Sequence, residues 1–158
     1  SLPKRAFEQQ ATLHGDLHSQ NILIDGEQAY LIDMDSITAG PPQVDIGSWC
    51  AAMLYRALLA QTDRDEVIAA LAGFVRAYAR HVDWKIETAE LNWFTTVALL
   101  NERAYRCMSR LKPGRLQILD DVVELAAHIS YSTKFLGSAH LGKHELAMNG
   151  PATGEAVL

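Results

Sequence analysis

Residues 13–21 read LHGDLHSQN, and a second acidic run, AYLIDMD, occupies residues 29–35. Asp16, Asn21 and Asp33 offer the oxygens in these two stretches that could act together. Ile22 to Ile24 and Tyr30 to Ile32 are short β-prone runs, and Asp25-Gly26 between them is a strong turn signal, so a small hairpin must set the spacing. If cross-strand partners are numbered to sum to 54, Ile22 faces Ile32 and Asn21 stands opposite Asp33 on one rim. A two-residue Asp-Gly turn instead pairs Asn21 with Tyr30 and leaves Asp33 roughly 10 Å further along. Function favours the wider loop. An amide oxygen and a carboxylate meeting at a sheet end make a hard oxygen site suited to Mg²⁺, which takes few protein ligands and completes its octahedron with water and phosphates. Asp16, five residues before Asn21, is then free to serve as a separate base.

The elements that must hold these groups are mostly helical. After the loop TAGPPQ, where two prolines prevent helix continuation, Ile46, Trp49, Cys50, Met53, Leu54, Ala57 and Leu58 recur at helical spacing and predict a helix over 44–60. Asp63 followed by Glu66 resembles a capping box opening a second helix, with Val67, Ile68, Leu71, Phe74, Val75, Tyr78 and Val82 on its buried face. A third helix is expected over 87–111, ended by Pro113-Gly114, and a fourth over 115–135. Residues 137–158 are rich in Gly, Ala and polar residues without periodicity and read as a poorly packed tail. The expected class is mainly α with one small β-hairpin, an α+β arrangement.

His14-Gly15-Asp16, then Asn21, then Ile32-Asp33-Met34-Asp35, followed by Asp45-Ile46-Gly47, resembles the catalytic core of the aminoglycoside phosphotransferase and choline kinase superfamily, distant relatives of the protein kinases. The pattern covers residues 13–47. The helices after residue 60 agree with that family's C-terminal lobe in kind only. The resemblance implies a helical C-terminal lobe of a protein-kinase-like fold, spanning 1–136, with catalytic loop and metal-binding hairpin at 13–47 and a helical subdomain at 44–136. It implies ATP and Mg²⁺ as cofactors, Asp16 accepting or orienting the proton of a substrate hydroxyl, and Asn21 and Asp33 holding the metal ions. His14 is read as a loop-bonding residue. Asp45 corresponds to a position that holds the catalytic-loop backbone by hydrogen bonds, although an ordinary acidic helix cap is an alternative. Asp35 stands where relatives carry an acid, and touches metal or lies in a solvated turn. His18 stands near the transferred phosphate or packs the loop.

Two departures from the protein kinases narrow the substrate. Gly15 and His18 stand where those enzymes carry Arg and commonly Lys, and only the eleven residues Met34 to Val44 separate Asp33 from Asp45. That is too short for an activation loop and peptide-docking segment, so the resemblance implies a small-molecule hydroxyl acceptor. No glycine-rich loop or lysine-bearing strand precedes residue 13. The 158-residue chain is therefore expected to carry half an active site, to lack the N-terminal nucleotide-binding lobe that would partner it, and to be inactive and prone to self-association as an isolated fragment. A non-catalytic kinase-like binding module is the alternative.

Composition sets outer limits. A net charge of −5 gives no basic footprint for nucleic acid, no apolar run is long enough to span a membrane, and no secretory leader is evident, which predicts a cytoplasmic protein. Cys50 and Cys107 fall in apolar helical patterns and read as buried free thiols. Arg103, Arg106 and Arg110 on the third helix, and Asp120, Asp121 and Glu124 on the fourth, read as solvated or mutually paired surface. Glu87, Glu90 and Glu102 would suit a cationic acceptor, whereas the arginines on the same helix point the other way. His140, His144 and Glu145 have helical spacing but lie in the tail, where zinc binding is not expected. Trp49, Trp84 and Trp93 read as core or helix-contact residues.

Overall fold

The computed structural model describes residues 9–109 and 114–134. Arg110, Pro113, the His140, His144 and Glu145 trio and the 137–158 tail lie outside them. Helix α1, Gln43–Ala60, is the element on which the rest is packed, and it buries Ile46, Cys50, Ala51, Leu54, Tyr55 and Ala57. It ends where Gln61 enters the left-handed region at φ 52°, with its N–H bonded to the Ala57 and Leu58 carbonyls and the Thr62 N–H also reaching Ala57. This satisfies carbonyls that a helix end otherwise leaves unpaired. Helix α2, Arg64–Ala79, is capped by the Asp63 carboxylate, which accepts the Asp65 N–H at 2.8 Å. It stops three residues short of Val82, which the sequence pattern had placed on its buried face.

The predicted third helix exists with a defect in it. Helix α3, Thr88–Ala98, runs into a π-helical turn, Leu99–Ala104, and continues as α4, Tyr105–Ser109. The last helix of the described residues, α5, is Leu119–Tyr131, shorter than expected because a 3₁₀ turn, Leu116–Ile118, precedes it. Its buried residues Val122, Leu125, Ala126 and Ile129 follow helical spacing and close the core against α3 and the π turn. Leu54, Leu91, Leu99 and Ile129 are fully buried, each contributing about 1.5–3 kcal/mol by removal from water. Cys50 and Cys107 are free and buried. Burial pushes the Cys50 thiol up to about 12, so it stays protonated. Trp49 stacks at a tilt on Phe74, Trp84 on Tyr78, and Trp93 meets Phe94 edge-on.

Among the described residues four short strands form two separate two-stranded antiparallel sheets. Strands β2, Ile22–Asp25, and β3, Gln28–Leu31, make the expected hairpin, but its register differs from both anticipated ones: Ile22 pairs with Leu31 and Asp25 with Gln28. The turn residues are Gly26 and Glu27. Gly26 has φ +59° and is the only positive-φ residue of the two, the pattern of a type II′ turn whose twist matches the flanking strands. The second sheet pairs β1, Ala11–Leu13, with β4, Thr38–Gly40. The sequence pattern had read those segments as a short approach and a loop.

At Gly47 helix α1 lies directly against the backbone of α3. A methyl group there would lie 2.8–2.9 Å from the backbone and Cβ of Phe94 and the amide nitrogen of Thr95. Gly47→Ala is therefore expected to destabilise the fold by about 1–3 kcal/mol through overpacking. Urea denaturation reads this as a lower midpoint at constant slope, and an unchanged midpoint would mean that the two helices can separate freely.

Candidate active site

The polar residues of the first stretch are held by a chain of bonds that begins on α1. Asp45, in the first turn of that helix, does not cap it. Its carboxylate turns back to accept the His14 N–H at 2.6 Å and the Gly15 N–H at 3.1 Å. Charge-assisted bonds of this kind are among the stronger ones a backbone makes. Gly15 has φ +83°, and any side chain there would collide with the Ser36 carbonyl oxygen. This glycine is thus required by both conformation and space.

His14 is buried and carries the chain onward. Its Nε2 lies 2.9 Å from the Ile32 carbonyl oxygen, and its Nδ1 faces the Asp16 N–H at 3.4 Å. A carbonyl only accepts, so the proton sits on Nε2 and Nδ1 is left as the acceptor. The imidazole therefore ties the loop to the last residue before Asp33. Asn21, also buried, donates its Nδ2–H to the Asp16 carbonyl at 3.0 Å, and its own carbonyl accepts the Ile32 N–H at 3.0 Å. Asn21 thus stands opposite Ile32, one residue short of the rim pairing with Asp33.

Asp33 terminates the hairpin in the left-handed region, φ 62° and ψ 57°. Non-glycine residues adopt this uncommonly, Asp and Asn more than most, and such positions recur where function fixes the backbone. Asp33 and Asp35 are both exposed, Asp35 in the 3₁₀ turn Met34–Ser36 that follows. Asp16 is half-exposed, and His18 Nε2 approaches its carboxylate at 3.6 Å. The backbone on both sides of the Asp16 carboxylate is pinned while the carboxylate itself faces outward. Among the described residues no three His, Cys, Asp or Glu side chains converge as a metal site. Asn21 and Asp33, the residues expected from the sequence to hold a metal, carry an amide oxygen and an exposed carboxylate, hard donors of the kind that suits Mg²⁺ better than softer metals.

Sequence reasoning overlooked a second feature beside this loop. Arg56, Arg103, Arg106 and Arg115 line one pocket of about 410 Å³ together with His18 and Tyr55. Arg103 is not a solvated stripe residue but 3 % exposed. Its Nη2 lies 3.0 Å from Glu102 and 3.4 Å from both the hydroxyl and the carbonyl of Ser48, whose hydroxyl in turn donates to Glu102. Burial lowers the Arg103 pKa, and the Glu102 charge opposes that shift. No local motif announces this pocket, because its arginines come from α1, the π turn, α4 and the segment before α5. On the far side of the loop, burial and, secondarily, the Asp45 charge raise the Tyr78 pKa, which keeps this phenol neutral.

With this geometry in hand, the comparison with known families falls into place. Residues 2–94 match the model of the phosphotransferase enzyme family. The match covers more than half of the chain, and the chain belongs to that family, which sits within the aminoglycoside phosphotransferase and protein-kinase-like superfamily. No curated protein and no solved structure gives a match. Among the described residues no helix is long and apolar enough to cross a membrane.

Proposed function

We propose that this chain provides the base and the metal-holding residues of an enzyme that moves the γ-phosphoryl group of ATP to a hydroxyl of a small molecule. The observation that carries this reading is the continuous bonding from Asp45 through His14 to the Ile32 carbonyl. It fixes the Asp16 loop and the Asp33 strand end relative to each other through one helix. Such rigidity is what phosphoryl transfer asks of a protein, since its catalysis is mostly positioning and charge stabilisation.

In this reading the Asp16 carboxylate takes the proton of the acceptor hydroxyl. The hydroxyl oxygen bonds to the γ-phosphorus as the bond from that phosphorus to the β,γ-bridging oxygen breaks, its electron pair leaving with ADP. Asn21 and Asp33 would hold Mg²⁺, which when bound supplies neutralisation of phosphate charge. The exposed apolar residues of the hairpin, Leu23, Ile24, Tyr30, Leu31 and Ile32, offer a floor for the nucleotide base and for a covering lobe. A small acceptor is supported by the Met34 to Val44 segment, which is used up by a 3₁₀ turn, β4 and the entry to α1 and leaves no room for a peptide-docking loop.

The test is transfer of label from γ-labelled ATP to hydroxyl acceptors by the full-length product. Activity is expected to require Mg²⁺. Asp33→Ala is expected to weaken Mg·ATP binding and turnover together, and an Asp33→Ala variant with wild-type values for both would remove the metal assignment.

A further inference from the structure

Among the described residues, one of the four arginines in the pocket beside Asp16 has a carboxylate partner. Glu102 meets Arg103, and Arg56 bonds only the Ser19 hydroxyl, at 3.0 Å. Among the described residues Arg106 and Arg115 have no ion pair. The chain as a whole is acidic, so concentrating four of its 14 Lys and Arg residues in one cavity is not a by-product of composition.

A second, independent observation comes from hydrogen bonding. Six buried side-chain polar atoms in the described residues have no partner, and three of them belong to this one pocket: His18 Nδ1, Arg103 Nε and Arg115 Nη1. Buried polar groups are nearly always satisfied, and the two guanidinium nitrogens can only donate whereas the imidazole nitrogen can serve either way, so Arg103 Nε and Arg115 Nη1 mark the place of a ligand that accepts hydrogen bonds. Guanidinium groups present N–H donors in a planar fork matched to carboxylate and phosphate oxygens.

The acidic residues that would suit a cation are engaged elsewhere. Glu90 accepts from the buried Gln43 amide at 3.1 Å, Glu87 pairs with Lys85 at 2.7 Å, and Glu102 is taken by Ser48 and Arg103. None of the three lines the pocket. The volume is in the range of small-molecule sites. His18 joins the pocket to the base, since it lines the one and stands 3.6 Å from the carboxylate of the other.

We infer that the acceptor is an anionic hydroxyl compound whose carboxylate or phosphate is bound by Arg103, Arg106 and Arg115, with its hydroxyl delivered past His18 to Asp16. This rests on the phosphotransfer reading above. The oxyanion keeps its charge throughout, while the hydroxyl loses its proton to Asp16 and gains the phosphoryl group from ATP, as balanced there.

The experiment uses four acceptors of similar size with the full-length product: glycerate, glycerol 3-phosphate, glycerol and choline. kcat/KM is expected to be highest for one of the two anions, which tells carboxylate from phosphate, and lowest for choline. Arg106→Gln should raise KM for the preferred anion by roughly 10- to 100-fold, the loss of a charged hydrogen bond, with a smaller change in kcat. Arg106 is chosen because no hydrogen bond or ion pair among the described residues depends on it. Arg106→Lys should restore part of the loss. In parallel, calorimetry with inorganic phosphate should show saturable binding that Arg106→Gln weakens. Preference for choline, or an Arg106→Gln variant with unchanged KM, overturns the pocket assignment. Phosphate binding without transfer to any acceptor overturns the phosphotransfer reading and with it the acceptor role, leaving a plain anion site.

Discussion

Asp16→Asn is expected to lower kcat by about 10²- to 10⁴-fold, the range that a positioned general base supplies, while Mg·ATP affinity stays close to that of the unaltered protein. The asymmetry follows from how the residue is held. Its main-chain N–H faces His14 and its carbonyl is bonded by Asn21, so an amide of the same shape leaves the loop in place. Proton acceptance is lost, and with it the negative charge that faces His18. Steady-state kinetics together with nucleotide titration separates the two quantities. Equal kcat for the variant and the original would remove the base assignment, and a matching fall in nucleotide affinity would mean that the side chain holds phosphate or metal instead.

The second large effect is expected at Asp45, which touches no reacting atom. Asp45→Ala removes both acceptors of the His14 and Gly15 N–H groups. Losing charge-assisted bonds and leaving a buried donor unpaired is expected to cost about 2–4 kcal/mol of stability. A loop displaced by as little as about 1 Å can also lose roughly 100-fold in rate. Both readouts should therefore move, the urea midpoint and kcat. If neither does, the loop is held by something other than this carboxylate, and the bonding chain loses its central place in the functional reading.

How much of this was visible in the sequence depended on the distance between the residues concerned. His14, Gly15, Asp16 and Asn21 act within a few residues of one another, so their pattern and spacing carried the expectation directly. The Asp45 contact spans further, and it was expected only through the family resemblance, with an ordinary helix cap as the alternative. The hairpin register was not legible. Asp25-Gly26 and Gly26-Glu27 both contain the glycine that the turn needs, and only packing selects the second. Strand β4 was missed because Thr38-Ala39-Gly40 has little strand character and gains its bonds from β1, far away in sequence. The arginine pocket escaped for the same reason: helical periodicity put Arg103 and Arg106 on one solvated face, but Arg103 lies within a π turn and Arg106 just beyond it.

That π turn bears on which changes of chain length the family can tolerate here. A π segment closes its hydrogen bonds one residue later than an α-helix, so Leu99–Ala104 is equivalent to an α-helix with one residue too many. That surplus residue is taken up within the segment, so the winding on either side stays in phase. A deletion inside a regular α-helix turns everything beyond it by about 100°, whereas a deletion inside Leu99–Ala104 would restore regular winding with α4 and Arg106 close to their present orientation. The side chains whose facing changes are those of the segment itself, Glu102 and Arg103 among them. A one-codon deletion here would therefore remodel the buried wall of the cavity in a single step while leaving every residue of the Asp16 loop untouched.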